Sequence, residues 1–182
     1  MRILFVIILN VSLAFLSFNG KNTVPEKMKP AEQKLFSDIN NYRKSLGLAE
    51  IPFSSKLTRV AQIHAADLRD HFSSGKCNMH SWSGKGEGFA CCYTPDHKNA
   101  HCMWDKPQEL TGYQEKGYEI SAMNTAPEVN WLNQWKGSPG HHQVIINNGI
   151  WKTIEWKAMG LAIRGEYAVV WFGVLEDPVA KK

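Results

Sequence analysis

Met159 to Gly173 reads MGLAIRGEYAVVWFG, and this stretch decides the fold class. Two apolar runs, Met159–Ile163 and Tyr167–Leu175, are joined at Arg164-Gly165-Glu166, the pattern of two strands meeting at a tight turn. The second run is continuously apolar, as expected of an interior strand. Earlier in the chain the period is helical. Pro30 suits a first helical position, and Leu35, Ile39, Tyr42 and Leu46 follow at four, three and four residues, with Gly47 placed to stop the helix. Ser54 or Ser55 is placed to cap a second helix whose stripe is Leu57, Val60, Ala61, His64, Ala65 and Leu68. A lone histidine on such a stripe is expected to be a hydrogen-bonded core residue. Helices followed by strands predict an α+β domain with helices packed on a sheet.

The 182 residues suffice for one domain with a sizeable core, and 43% hydrophobic with 21% charged residues is the composition of a globular chain. Residues 1–20 stand apart. Arg2 precedes an apolar run from Ile3 to Phe18, broken by Asn10 and Ser12, and Asn19-Gly20 follows. This is the layout of a signal peptide, short for a bilayer span, so cleavage is favoured over anchoring and the mature chain is expected to be secreted or periplasmic. Residues 21–29 read as a flexible lead-in, 30–178 as the domain and 179–182 as a basic tail. The net charge of +4 falls to about +3 without Arg2, too small and scattered to argue for nucleic acid.

Export gives the cysteines meaning. Cys77, Cys91, Cys92 and Cys102 fall close together, and four cysteines in an oxidising compartment favour two disulfides. A vicinal Cys91–Cys92 bridge is strained, so Cys77 is expected to pair with one of these and Cys102 with the other. Disulfides are favoured over a zinc site built from Cys77, His80, His97 and His101. The segment from Phe72 to Glu109 shows no sustained period and is expected to be a long stapled loop. Its GKGEG run at Gly84–Gly88 follows no strand pattern and reads as loop rather than as a phosphate cradle. Tyr113–Met123 is expected to form a short helix or turn around Glu119.

Asn130–Asn148, NWLNQWKGSPGHHQVIINN, carries the clearest candidate site. A short helix starting at Pro127 is expected to carry Trp131 and Trp135, four residues apart on one face. The chain then breaks at Gly137-Ser138-Pro139-Gly140, and His141 and His142 follow at the turn, before the apolar Val144-Ile145-Ile146. Turn residues on a rigid frame are well placed to face a cleft.

Taken together, LFSDINNYRKSLGLAEIPFSSKL, VAQIHAADL, CNMHSW, GYEISA, SPGHHQVII and MGLAIRGEYAVVWFG resemble, in order, the CAP superfamily. This is the SCP/TAPS group of cysteine-rich secretory proteins, antigen 5 and plant pathogenesis-related group 1 proteins. The similarity runs from about Pro30 to Gly173 and is nearest to bacterial members, whose second motif reads SPGHR before an apolar triplet. It implies a three-layer α-β-α sandwich with a central, mainly antiparallel sheet and a cleft lined by two histidines and two acidic residues. His80 in NMHSW matches the first histidine and His141 in SPGHH the second, in preference to His142. Glu119 in GYEISA matches the first acid, although Tyr118 separates it from Gly117. The second acid's position, three after Trp131, holds Gln134.

Two imidazoles with one carboxylate make three candidate ligands for a divalent ion such as Zn²⁺, with an open position. The resulting expectation is a non-enzymatic binding module whose cleft, flanked by Gln134, Ser138 and His142, takes an extracellular lipid, glycan or protein. The alternative is a metal-assisted or acid/base hydrolase using His80, Glu119 and His141 as catalytic residues.

Overall fold

Tyr167–Gly173 (β3) is buried along its whole length and forms the centre of a three-stranded antiparallel sheet. Ala158–Arg164 (β2) lies on one side and Gly117–Met123 (β1) on the other. The computed structural model describes residues 28–177, so the expected signal peptide, most of the expected lead-in and the expected basic tail lie outside the described residues. Alternation along β3 builds two cores. Tyr167, Val169 and Trp171 face one side, while Ala168, Val170 and Phe172 face the other.

The first face is covered by Ser55–His71 (α2), with Ala100–Trp104 (α3) and Lys106–Thr111 (α4). The second is covered by Pro30–Ser45 (α1), Trp131–Lys136 (α5) and Pro139–Ile145 (α6). The result is the expected α-β-α sandwich. A 3-10 turn, Gly149–Trp151, follows α6.

Both expected helices form where the sequence places them. Ser54 caps α2, its Oγ accepting from Leu57 N at 3.0 Å, a contact worth about 1 kcal/mol. Asp177 supports that cap from the far end of the chain, accepting from Ser54 Oγ at 2.7 Å and from Lys56 N at 2.9 Å. Glu32, fully buried, accepts from Lys29 N at 2.7 Å, Ile163 N at 3.0 Å and Arg164 at 2.6 Å, fastening α1 to β2.

Four expectations are corrected. Tyr113–Met123 holds no helix or turn around Glu119; residues 117–123 are strand β1, stabilised by pairing with β3 that the mixed local pattern does not reveal. The segment 72–109 contains α3 and the start of α4, which carries Pro107 in its first turn. The Trp131 helix begins after Asn130, whose side chain accepts from Asn133 N at 3.0 Å, and not at Pro127. His141 and His142 lie within α6 rather than at a turn, because Pro139 opens that helix immediately after Gly137-Ser138.

The disulfides resolve the pairing as Cys77–Cys92 and Cys91–Cys102. Each closes a loop of fewer than twenty residues, worth on the order of 3 kcal/mol. Trp82 and Cys91 add a two-bond bridge at 2.8 and 3.0 Å.

Gly160 in β2 is where α2 comes closest to the sheet, and a Cβ there would overlap the backbone of Leu57 and Thr58. Gly160→Ala is therefore expected to destabilise by more than about 2 kcal/mol in urea unfolding, since backbone cannot move aside as a side chain can. Gly140→Ala, where the added atom meets open space, is expected to be neutral or slightly stabilising.

Candidate functional site

Glu119 sits in β1 opposite Trp171 and faces α2. Its carboxyl group is wholly enclosed, yet each oxygen has a partner: His64 Nδ1 donates to Oε2 at 2.6 Å and His80 Nδ1 donates to Oε1 at 2.9 Å. Burial alone would raise the carboxyl pKa. The charge and hydrogen bond of His64, followed by those of His80, outweigh it and hold the group down at about 2. Glu119 is therefore an ionised acceptor at neutral pH.

His64 comes from the middle of α2 and has no solvent exposure. Its ring stacks on Trp82 at 4.3 Å between centres and 9° between planes, and Nε2 donates to the Ser81 carbonyl at 3.1 Å. The expectation of a hydrogen-bonded core histidine holds, but its partners belong to the candidate site, and the apolar stripe that carries it gives no sign of them.

His80 lies on the stapled segment, where its backbone N–H donates to Asn78 Oδ1 at 2.9 Å. Its side chain keeps 20% exposure, and with Nδ1 turned inward to Glu119 its Nε2 is the nitrogen left for a ligand. His141 approaches from α6 on the other side of the sheet. The His80 and His141 ring centres are 6.3 Å apart, with planes at 74°. Burial, and next the neighbouring His80, lower the His141 pKa to about 4, so its imidazole is neutral at physiological pH.

Three contacts hold α6 in place. Arg43 of α1, buried, donates to Ile145 O at 2.6 Å and Asn147 Oδ1 at 2.7 Å, and Trp156 Nε1 donates to Val144 O at 2.8 Å. Desolvation lowers the Arg43 pKa to about 10.

The other expected cleft residues have partners or places of their own in the fold. His142 Nε2 is 2.8 Å from the Tyr42 hydroxyl, tied to α1. Gln134 donates to Met123 O at 3.1 Å and accepts from Asn124 at 3.0 Å, so its hydrogen bonds fasten α5 to the end of β1 and reach neither His80 nor His141. Ser138 occupies the N-cap position of α6 without a side-chain capping bond. Two grooves of about 380 Å³, one along α2 beside Glu87 and one between α1 and Val129, include neither His80 nor His141.

An ion bonded at ~2 Å to one nitrogen of each ring in the tetrahedral geometry of Zn²⁺ holds the ring centres roughly 5 Å apart, so at 6.3 Å one ring would have to move in before both could ligate the same ion. Both Glu119 oxygens are already taken, which leaves it behind His80 rather than beside it. Among the described residues, no group of three or more His, Cys, Asp or Glu side chains is arranged to hold a metal ion.

The model of the cysteine-rich secretory protein family, CAP, matches residues 36–153. The chain belongs to the CAP family. Solved structures with the same fold include an outer surface protein of Borrelia burgdorferi, 21% identical at a TM-score of 0.55, covering 81% of this chain and 95% of that one. An extracellular protein of Bacillus anthracis containing an SCP domain is 17% identical at a TM-score of 0.54, over 81% and 44%. A cysteine-rich secretory protein of Staphylococcus aureus is 16% identical at 0.52, over 81% and 39%. This CAP chain thus matches less than half the length of the last two. A comparison with curated proteins finds no match. Among the described residues of this CAP protein, no helix is long and apolar enough to cross a membrane.

Two groups tie stability to pH with the same sign. His141 binds protons near 6.5 unfolded and about 4 folded, so its stabilising effect is complete above 6.5 and lost as pH falls towards 4. Glu119 is depressed from 4.5 to about 2, so its contribution is present above 4.5 and lost as pH falls towards 2. Urea midpoints are expected to fall between pH 6.5 and 4 and to go on falling below that towards pH 2. In His141→Phe the first fall should be reduced while the second remains.

Proposed function

We propose that this CAP protein is exported and acts as a binding module, with His80 and His141 as its recognition point for an extracellular ligand. The observation that supports this most directly is the geometry: the partly exposed His80 ring faces His141 at 6.3 Å between centres, backed by a Glu119 whose two oxygens are both already bonded. A general base works best with a pKa near the working pH, and an imidazole at about 4 is far from it. The same imidazole keeps a lone pair for a ligand throughout the neutral range. The Ser81 hydroxyl, the nearest alcohol in sequence to His80, accepts from Tyr93 N at 2.9 Å and donates to Tyr93 O at 3.3 Å, so it is not presented as a nucleophile. Export is supported by the Arg2–Phe18 pattern, two disulfides, and similarity to extracellular and outer-surface proteins.

A divalent ion suits this pair on its donor chemistry. His80 Nε2 and His141 would supply two imidazole ligands, with Glu119 behind His80 as the carboxylate that orients a ligating histidine. Such an ion would leave positions for donor atoms of a bound lipid, glycan or protein. As a Lewis acid it would draw in oxygen or nitrogen donors.

Calorimetric titration of the mature protein with Zn²⁺ is expected to show about one ion per chain, weakened at least tenfold in the His80→Ala/His141→Ala double variant. A screen against peptide, ester and glycoside substrates is expected to show no turnover. Turnover that disappears in the double variant would replace the binding reading with hydrolysis, and unchanged Zn²⁺ affinity in a folded double variant would remove the pair from the metal site.

A further inference from the structure

His64 does more than fill its place in the core. One ring nitrogen faces Glu119 Oε2 at 2.6 Å and the other faces the Ser81 carbonyl at 3.1 Å. Glu119 is the carboxylate that holds the His80 ring, and Ser81 is the residue next to His80 in the chain. His64 therefore grips both the hydrogen-bond partner of the His80 side chain and the backbone beside it. The ring that does so cannot easily turn. It lies flat on Trp82, meets Trp171 edge-on at 6.5 Å, and is fully buried. Trp82 is itself fixed, by two backbone bonds to Cys91 and by the buried Lys106 ammonium 5.1 Å from its ring.

We propose that His64 is a positioning residue that fixes the tautomer of His80, so that the Nδ1–H of His80 is spent on Glu119 and its Nε2 lone pair faces the ligand. The inference rests on the binding reading of the His80–His141 pair and adds a residue from a different element to it. By occupying Oε2, His64 leaves Oε1 as the oxygen available to His80. It also supplies the second donor that an enclosed carboxylate needs to stay ionised without turning. Without it, Glu119 is free to rotate or take a proton, and His80 is then free to carry its hydrogen on either nitrogen.

The disulfides offer a simpler account, in which the staples alone hold His80 and His64 only packs. The two accounts separate because staples fix backbone while His64 acts through a carboxylate. His64→Phe keeps a ring on Trp82 and removes both hydrogen bonds. His64→Asn keeps an amide donor near the Nδ1 position, towards Glu119, whereas His64→Gln keeps one near the Nε2 position, towards Ser81.

The test is long-range ¹H–¹⁵N spectroscopy of the imidazoles at pH ~7.5 together with Zn²⁺ titration. Wild type is expected to show His80 as a single Nδ1–H tautomer. His64→Phe should show mixed tautomers and up to roughly 10-fold weaker Zn²⁺ binding, the lower end of the loss seen when the direct partner of a ligating histidine is removed, because Glu119 itself remains. His64→Asn should recover most of the loss and His64→Gln little. A folded His64→Phe with wild-type tautomer and affinity would overturn the proposal, as would wild-type His80 protonated on Nε2, an observation that needs no variant. The tautomer readout requires no metal. If wild type binds no Zn²⁺, the metal part of the binding reading fails while the role of His64 is still decided.

Discussion

The site depends on the burial of the Glu119 carboxylate. A carboxylate taken out of water with nothing around it costs many kcal/mol, and in practice takes a proton instead. Glu119 stays ionised because two imidazoles from separate parts of the chain meet it, one on each oxygen. That requirement ties three elements together: β1 must present the carboxylate, α2 must place His64 against it, and the stapled segment must bring His80 within reach.

Much of the surrounding architecture serves this meeting. The close approach of α2 to the sheet, allowed by the missing side chain at Gly160, sets the depth at which His64 arrives. Disulfides Cys77–Cys92 and Cys91–Cys102, with the Trp82–Cys91 bridge, give rigidity to a segment with little regular structure. On the opposite layer, Arg43 and Trp156 hold the C-terminal turn of α6, so that His141 can stand beside His80 across the margin of β1. The pair thus joins the two helical layers.

What could be read in advance follows physical range. Interactions within a few residues were legible: the Pro30 and Ser54 helix starts, the Gly165 turn and the wholly apolar β3. Where long-range pairing outweighs local preference, the reading failed. GYEISAM has no clear alternation, and becomes a strand because β3 offers it a ladder from Gly117 to Met123. The histidines of SPGHHQVII read as turn residues from the Gly-Pro break. Yet Pro139 sits at the start of α6, where its fixed φ suits a first helical turn and its missing N–H costs nothing. A proline that separates one helix from the next looks the same in sequence as one that marks a loop.

The sequence by itself determined the helix periods, the strand hairpin, the CAP-type order of motifs and the choice of His80, Glu119 and His141 as residues worth following. Only the tertiary structure decided which cysteines join, that Gln134 bonds to Met123 and Asn124, that His142 turns to Tyr42, and that His64 belongs with Glu119. The reason is directional. Periodicity records which face of an element is buried, but a hydrogen bond across 55 residues depends on the angle at which two elements cross, and no local pattern encodes that angle.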